Sequence, residues 1–369
     1  MFPVMTSAHR LNGILFIVML LAMLAYSTPK VLQFASTQAP AQAAEQFMSG
    51  QLLRQFERYY DRNLFLRSPS IEMWASLQYL LFREGSSGVV LGKEGWLFTN
   101  AEYLVPNAYE DNLDSNLAKI AEVERTLRAH NKRLIMLPLP MKVDVYSEYS
   151  SRPLDGRALG LYEDFIAGLR RASIEASPLR DAFLAHKDQQ PLFLRTDTHW
   201  TPEGARLAAQ ELARQHPELV GSTPYVSRPV AQKSLPGDLT NYLLFNRNLA
   251  PDRFRPSPLQ LYETLKSEQQ VSAGALFGDA SQPIMLVGSS YTKIDDWNFP
   301  GFLKESLRSD LQTTAVEAKG PYAAMDQFLA GERLKDPDIT TVIWEFPVRT
   351  LLAEKPTTGG WQVAANQFF

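Results

Sequence analysis

Three short apolar runs constrain this chain more than any other feature: RLIMLPLP (Arg133–Pro140), PIMLVGSS (Pro283–Ser290) and TTVIWEFP (Thr340–Pro347). Runs this short and this continuously apolar read as strands covered on both faces, not as half-solvated strands of alternating polarity. Helical patterns lie between them. Leu113, Leu117, Ile120, Val123 and Leu127 recur on one helical face, and Tyr162, Phe165, Ile166 and Leu169 mark a second helix. Thr201 is a good N-cap with Pro202 at the first helical position, and Ala205, Ala208 and Leu212 continue that helix. Apolar strands alternating with amphipathic helices imply an α/β chain, with a mostly parallel sheet and helices on both of its faces.

The first residues carry a different signal. In MFPVMTSAHRLNGILFIVMLLAMLAYSTPK, Arg10 precedes an apolar run from about Leu11 to Tyr26, and Lys30 follows it. The run is at the short limit for a membrane span, roughly 17 residues. It is long for the apolar part of a signal peptide, about 7–15 residues. The reading is an uncleaved signal-anchor over residues 1–28. A cleaved signal peptide is the alternative, although the Ala41–Gln42–Ala43 box lies far past the apolar run; a buried core helix is the third choice. Residues 29–45, rich in Ala, Gln and Pro, read as a linker, and 46–369 as one catalytic domain. Net charge is −3 and the pI near 6.0, so nothing points to a nucleic-acid partner. The chain has no Cys, which removes thiolate nucleophiles, thiolate metal sites and disulfides.

In parallel sheets, sites form at the carboxyl ends of strands. Gly288, Ser289 and Ser290 follow one strand run, and a Ser on such a turn can present its hydroxyl while nearby N–H groups bind an oxyanion. The bland alternative is a plain turn. The second candidate is Asp197-Thr198-His199, within FLRTDTHWTPEGA (Phe193–Ala205). A Ser hydroxyl needs a base, imidazole suits that role, and a carboxylate on the other ring nitrogen would fix its tautomer. Here the bland alternative is a turn capped by Asp197, with His199 packed on Trp200. Asp and His also bind metals, but no third clustered ligand is evident. His9, His130, His186 and His216 lie in the N-terminal segment or in polar, helix-like contexts, and Asp295 and Asp296 read as solvated.

Several stretches, in order, resemble one family. They are GVVLGKEGWLF (Gly88–Phe98), FLRTDTHWTPEGA, PGDLTNYL (Pro236–Leu243), LVGSSYT, WNFPGFLKESL (Trp297–Leu307) and VIWEFPVRTL (Val342–Leu351). Over about residues 50–355 the chain resembles the alginate O-acetyltransferases of the AlgJ/AlgX type and their WssI relatives, which acetylate bacterial cellulose. The resemblance implies an SGNH-hydrolase-like α/β/α sandwich with Ser290 as nucleophile, His199 as base and Asp197 as its orienter. Their order, Asp, His, Ser, is the permuted one expected of this family. It implies an acetyl-serine intermediate and no cofactor. It also implies a periplasmic location at the inner membrane, an exopolysaccharide acceptor, a membrane-bound O-acyltransferase as acetyl supplier, and other subunits of an acetylation and secretion complex. Alginate members carry Gly-Thr-Ser-Tyr-Ser at the nucleophile turn where this chain has Gly-Ser-Ser-Tyr-Thr. That departure and the mildly acidic composition lean toward cellulose as acceptor. The chain leaves no room for the C-terminal carbohydrate-binding module of AlgX-type proteins, which suits the anchored AlgJ/WssI layout.

Other residues have weaker claims. Arg195 and Lys142 are expected to bind a sugar or carboxylate, or else to pair with structural acids. Trp200, Tyr291 and Trp297 are expected to stack on sugar rings, or else to be core. Asn241 is a candidate oxyanion donor through the resemblance only. Glu345 and Arg349 are expected to form a structural ion pair. Two other readings stand beside the transferase: a polysaccharide acetylesterase with the same triad, and a non-catalytic scaffold subunit.

Overall fold

The structure, a computed structural model, describes residues 7–37, 45–250, 252–267, 283–317 and 319–353. It divides into two compact units, Met1–Leu77 and Gln78–Phe369. The first is helical. Helix α1 spans Ser7–Ser36 and passes through Pro29 without ending. Its Arg10–Ser36 part is long and apolar enough to cross a membrane. Helix α2 (Gln51–Asn63) lies against the second half of α1: the Tyr26 hydroxyl donates to the Asn63 carbonyl at 2.8 Å, and the Phe34 and Phe56 rings meet edge-on at 5.3 Å. Helix α3 (Arg67–Phe82) runs across the boundary between the units. Two sequence expectations need correction. The linker over 29–45 is helical as far as Ser36, and the unit that carries the site begins at Gln78 rather than at residue 46. The Ala41–Ala43 box lies outside the described residues.

The second unit opens with a small antiparallel pair, β1 (Val89–Leu91) and β2 (Leu97–Thr99). There follow α4 (Tyr109–Ala129), β3 (Arg133–Leu139), the single-turn α5 (Lys142–Val145) and α6 (Gly156–Arg171). Next come β4 (Glu175–Ala176), α7 (Arg180–His186) and α8 (Pro202–Gln215). A long antiparallel ribbon, β5 (Tyr225–Leu235) with β6 (Ser257–Lys266), precedes β7 (Ile284–Gly288), α9 (Ser290–Lys293) and α10 (Phe299–Leu307). The unit closes with β8 (Leu311–Ala315), α11 (Ala323–Ala330) and β9 (Thr341–Pro347).

The central sheet has five strands, all parallel, in the order β4-β3-β9-β7-β8. The three apolar runs are its middle strands. Every residue of β7 and β9 is buried, as continuous apolar strands between helical layers must be. The expected helical faces point inward: Leu113, Ile120, Val123 and Leu127 on α4, Tyr162, Phe165, Ile166 and Leu169 on α6, and Ala205, Ala208 and Leu212 on α8. Thr201 caps α8 by accepting from the Gly204 N–H at 3.0 Å. The β5–β6 ribbon had no clear sequence signal. Most of β5 is exposed, and a bulge between Pro229 and Ala231 breaks its alternation.

The sheet positions the site. β3, β9 and β7 are neighbours and end together, so Lys142, Arg349 and Ser290 follow adjacent carboxyl ends and Glu345 lies two residues before the end of β9.

Candidate active site

Ser290 is the first residue of α9, directly after the Gly288–Ser289 turn that ends β7. The Ser289 side chain caps the helix by accepting from the Tyr291 N–H at 3.3 Å. Asp197 and His199 come from an irregular loop pinned at its ends by the Phe193–Trp200 bridge. His199 Nε2 lies 2.8 Å from Ser290 Oγ, and Nδ1 lies 2.6 Å from Asp197 Oδ1. A nitrogen facing a carboxylate carries the proton, which leaves Nε2 free to accept from the serine. Asp197 also accepts from the His199 backbone N–H at 2.9 Å and the Asp238 N–H at 2.8 Å. Burial opposes its charge, but the His199 hydrogen bond and these N–H groups outweigh that and hold its pKa below the usual carboxylate range. Asp197 and His199 are buried, while Ser290 keeps part of its surface open. A line of this geometry can move a proton off Ser290 and back.

Asp238 completes a second layer that the sequence reading missed. It accepts from the Thr198 N–H at 2.8 Å and the Thr198 hydroxyl at 2.5 Å, and its Oδ2 lies 3.8 Å from His199 Nδ1. Burial and the Asp197 charge push its pKa up. Asp197, His199 and Asp238 thus form the three-ligand cluster not evident in the sequence. Nδ1 already donates to Asp197, so the set suits a proton relay better than a cation. The other acidic cluster, Glu175, His216 and Glu218, shares both glutamates with the Arg133 guanidinium.

The nucleophile turn rests on Glu345. Its carboxylate accepts from the Ser289 N–H at 2.9 Å, the Ser289 hydroxyl at 2.8 Å and the Thr292 hydroxyl at 2.7 Å. Burial pushes its pKa up. The expected Glu345–Arg349 ion pair is not among the described contacts. Arg349 instead donates to the Tyr291 hydroxyl at 2.7 Å, and that hydroxyl donates to the Thr198 carbonyl. A charged residue inside the apolar run VIWEFP was the one sequence signal that Glu345 has a special task.

Several weaker assignments change. Lys142 binds no sugar: its ammonium is buried and donates to the carbonyls of Leu97 (2.6 Å), Arg195 (3.0 Å) and Asp197 (2.9 Å). Glu102 accepts from the N–H groups of Lys142 (3.1 Å) and Val143 (3.0 Å) beside it. Trp200 is core, meeting Tyr291 edge-on at 5.3 Å and Phe299 at 4.8 Å. Trp297 and Tyr291 are buried walls of the relay, not platforms for sugars: their rings lie 5.4 Å and 4.7 Å from the His199 ring. Arg195 is exposed and lines a hollow of about 400 Å³ with Tyr79, Glu94, Asp252 and Arg253, none of them a triad residue. Asn241 is exposed on the short turn Asp238–Tyr242. Among the N–H groups of the nucleophile turn, that of Ser289 is committed to Glu345.

A parallel sheet between helical layers, with a Ser-His-Asp line at its carboxyl edge, defines an SGNH-hydrolase-like domain. The family described as "SGNH hydrolase-like domain, acetyltransferase AlgX" matches residues 89–348, and this chain belongs to it. The chain is similar to the probable alginate O-acetylase AlgJ of Pseudomonas aeruginosa, 36% identical over 323 residues, covering 84% of this chain and 82% of the relative. The AlgJ of Pseudomonas putida is 36% identical over 347 residues, covering 91% and 88%. Among solved structures, the O-acetyltransferase domain of Pseudomonas putida AlgJ superposes with a TM-score of 0.66 and 33% identity, covering 73% of this chain and 94% of that one. Pseudomonas aeruginosa AlgX, at a TM-score of 0.58 and 21% identity, shares the fold. The chain is an O-acetyltransferase. Relatives this similar are named for alginate, which favours alginate over the expected cellulose. Neither net charge nor the two Ser/Thr exchanges around a nucleophile reports on an acceptor groove.

Proposed function

We propose that this chain is a periplasmic O-acetyltransferase that moves acetyl groups onto hydroxyls of alginate through an acetyl-Ser290 intermediate. The observation that carries the reading is the line Asp197–His199–Ser290, at 2.6 Å and 2.8 Å, on a domain of this family. His199 Nε2 takes the Ser290 proton as Oγ attacks the acetyl carbonyl carbon. The donor's acyl bond breaks, and its leaving group departs with that proton. A sugar hydroxyl then enters, gives its proton to His199 and attacks acetyl-Ser290, which leaves as the free serine. Asp197 keeps Nδ1 protonated through both halves. Helix α1 acts as a signal-anchor at the inner membrane, where a membrane-bound O-acyltransferase supplies acetyl groups within the acetylation complex. Anchoring both proteins in one membrane raises their effective concentration for each other.

The test follows the mass of the full chain in detergent with an activated acetyl ester. The wild type should gain one acetyl group and pass it to alginate oligomers but not to cello-oligosaccharides. Ser290→Ala should show neither step, with turnover down by about 10³-fold or more. Acetate release without transfer would make the chain an esterase, and undiminished transfer by Ser290→Ala would sink the mechanism.

A further inference from the structure

Helix α3 is apolar on two opposite sides, and the protein covers only one. At 100° per residue, Ala75 and Tyr79 fall on one side, and both are buried; Tyr79 stacks on Phe245 at 4.1 Å. Met73, Trp74, Leu77, Leu80 and Leu81 follow the spacing i, i+1, i+4, i+7, i+8 and fall on the other side. All five are exposed, Trp74 at 63% and Leu81 at 71%. Five large apolar side chains in one helical stripe, left to water, mark a surface that meets something.

The start of α3 says what that is. The apolar run of α1 ends at Tyr26, and Tyr26 is tied to the chain just before α3. Its hydroxyl donates to the Asn63 carbonyl at 2.8 Å and accepts from the Phe65 N–H at 3.1 Å, and its ring meets Phe65 at 4.6 Å. Residues 63–65 are therefore held at the end of the apolar run, and α3 begins two residues later. Arg58, Arg62 and Arg67 are exposed around this junction, the last paired with the equally exposed Asp61. A Tyr at the rim, arginines beside it and an apolar helix stripe about 12 Å long that carries a Trp are the composition of a helix lying in a lipid headgroup layer.

We propose that α3 lies in the bilayer surface with the Met73–Trp74–Leu77–Leu80–Leu81 stripe in the acyl boundary. A second attachment would then hold the chain beside its anchor, as two weak signals do better than one. The proposal rests on reading α1 as a membrane anchor, and its test separates the two.

The full chain is reconstituted into vesicles of phosphatidylcholine and phosphatidylglycerol. Trp74 fluorescence is taken as the difference between wild type and Trp74→Phe, with lipids brominated either near the headgroup or deep in the acyl chains. The expected result is strong quenching of Trp74 by shallow bromines and weaker quenching by deep ones. It should be largely lost in Leu77→Glu/Leu81→Glu, whose substituted positions are exposed and leave the fold intact. Carbonate extraction of the same vesicles reports on α1. Protein that resists carbonate while Trp74 goes unquenched overturns the α3 proposal and leaves the anchor standing. Protein released by carbonate overturns both. A Trp74 shielded from aqueous acrylamide yet blind to bromolipid would mean a protein partner or a second copy covers the stripe, and overturns the lipid assignment.

Discussion

The turn that carries Ser290 and the loop that carries His199 meet at one 2.8 Å hydrogen bond, yet they are held in opposite ways. The serine turn is the end of β7, which pairs on both sides with β8 and β9, so regular sheet pairing runs to Gly288, two residues before Ser290. The histidine loop continues no strand, although the Leu97 N–H of β2 donates to its Arg195 carbonyl at 2.9 Å. It hangs from side-chain contacts far apart in sequence: Lys142 on two of its carbonyls, Asp238 on Thr198, and the Thr196 hydroxyl on the Pro236 carbonyl at 2.9 Å. Each half is also underpinned by one buried ionisable group, of opposite kind. Lys142 supplies donors to carbonyls, and Glu345 supplies acceptors to an N–H and two hydroxyls. Among the described residues neither forms an ion pair. Each half needs a glycine as well. A Cβ at Gly237 (φ +85°) would meet the Thr196 carbonyl oxygen at 2.2 Å, and one at Gly288 would meet Thr292 Oγ1 at 2.1 Å. The first obstacle is backbone and the second a side chain. A turn closed by a sheet tolerates local adjustment, whereas a loop closed by long-range polar contacts does not.

Lys142→Met strikes the histidine loop alone and should have the largest effect on stability. It takes the Lys142 donor from the buried carbonyls of Leu97 and Asp197, while the Arg195 carbonyl keeps the Leu97 N–H at 2.9 Å, at a cost of about 2–3 kcal/mol in denaturant unfolding. Hydrogen exchange at Leu194–His199 should quicken while Ser289–Thr292 stays protected, and transfer should fall because His199 is no longer held against Ser290. If both segments loosen together, the two halves are one cooperative unit and the contrast drawn above is wrong.

Glu345→Leu makes the reciprocal cut. Two of its three donors are hydroxyls that can turn elsewhere, but the Ser289 N–H cannot, so the stability cost should be smaller, about 1–2 kcal/mol. Misplacing Ser290 should lower kcat on the order of 10–100-fold with KM nearly unchanged. Glu345→Gln keeps one acceptor oxygen and should recover most of the rate. Equal rates for the Leu variant and the wild type would show that the sheet alone positions the nucleophile.

The same contrast explains what the sequence disclosed. The strands β3, β7 and β9 were legible because burial on both faces demands continuous apolar runs, and α8 because Thr201 and Pro202 mark its start. Ser290 was legible as a hydroxyl at a strand end, and Asp197 and His199 as a carboxylate and an imidazole two residues apart. What was not legible is the support. Lys142 and Arg195 look alike in sequence, one charge each, yet one is sunk under a loop 53 residues away and the other lies in water. Asp238 reaches Thr198 across 40 residues of chain. For Trp200, Tyr291 and Trp297 the sequence left sugar platform and core both open, because aromatic residues near a site look the same whether they face substrate or the back of the histidine. Local pattern carries periodicity and caps; it does not carry which distant backbone groups lack a partner.

Lys142 also gives the histidine loop a pH signature opposite in sign to the one Glu345 gives the serine turn. Burial pushes its pKa down to about 7, against the opposing pull of Glu102, Asp197 and Asp238. The unfolded chain, with lysine at its ordinary value of about 10.4, then binds more protons than the folded one between about pH 7 and pH 10. Stability should rise with pH across that window, by at most about 1.4 kcal/mol per unit from this group. The Glu345 carboxyl, pushed up by burial, has the opposite sign: it holds its proton better when folded, so its contribution is full below the usual carboxylate range and is lost as pH rises through its folded value. Denaturant unfolding of wild type and Lys142→Met at pH 7 and pH 9 isolates the first term. The wild type should gain stability relative to the variant. An unchanged difference would mean that the three carbonyls keep the ammonium charged in the folded protein, so that the loop is underpinned by a permanent cation.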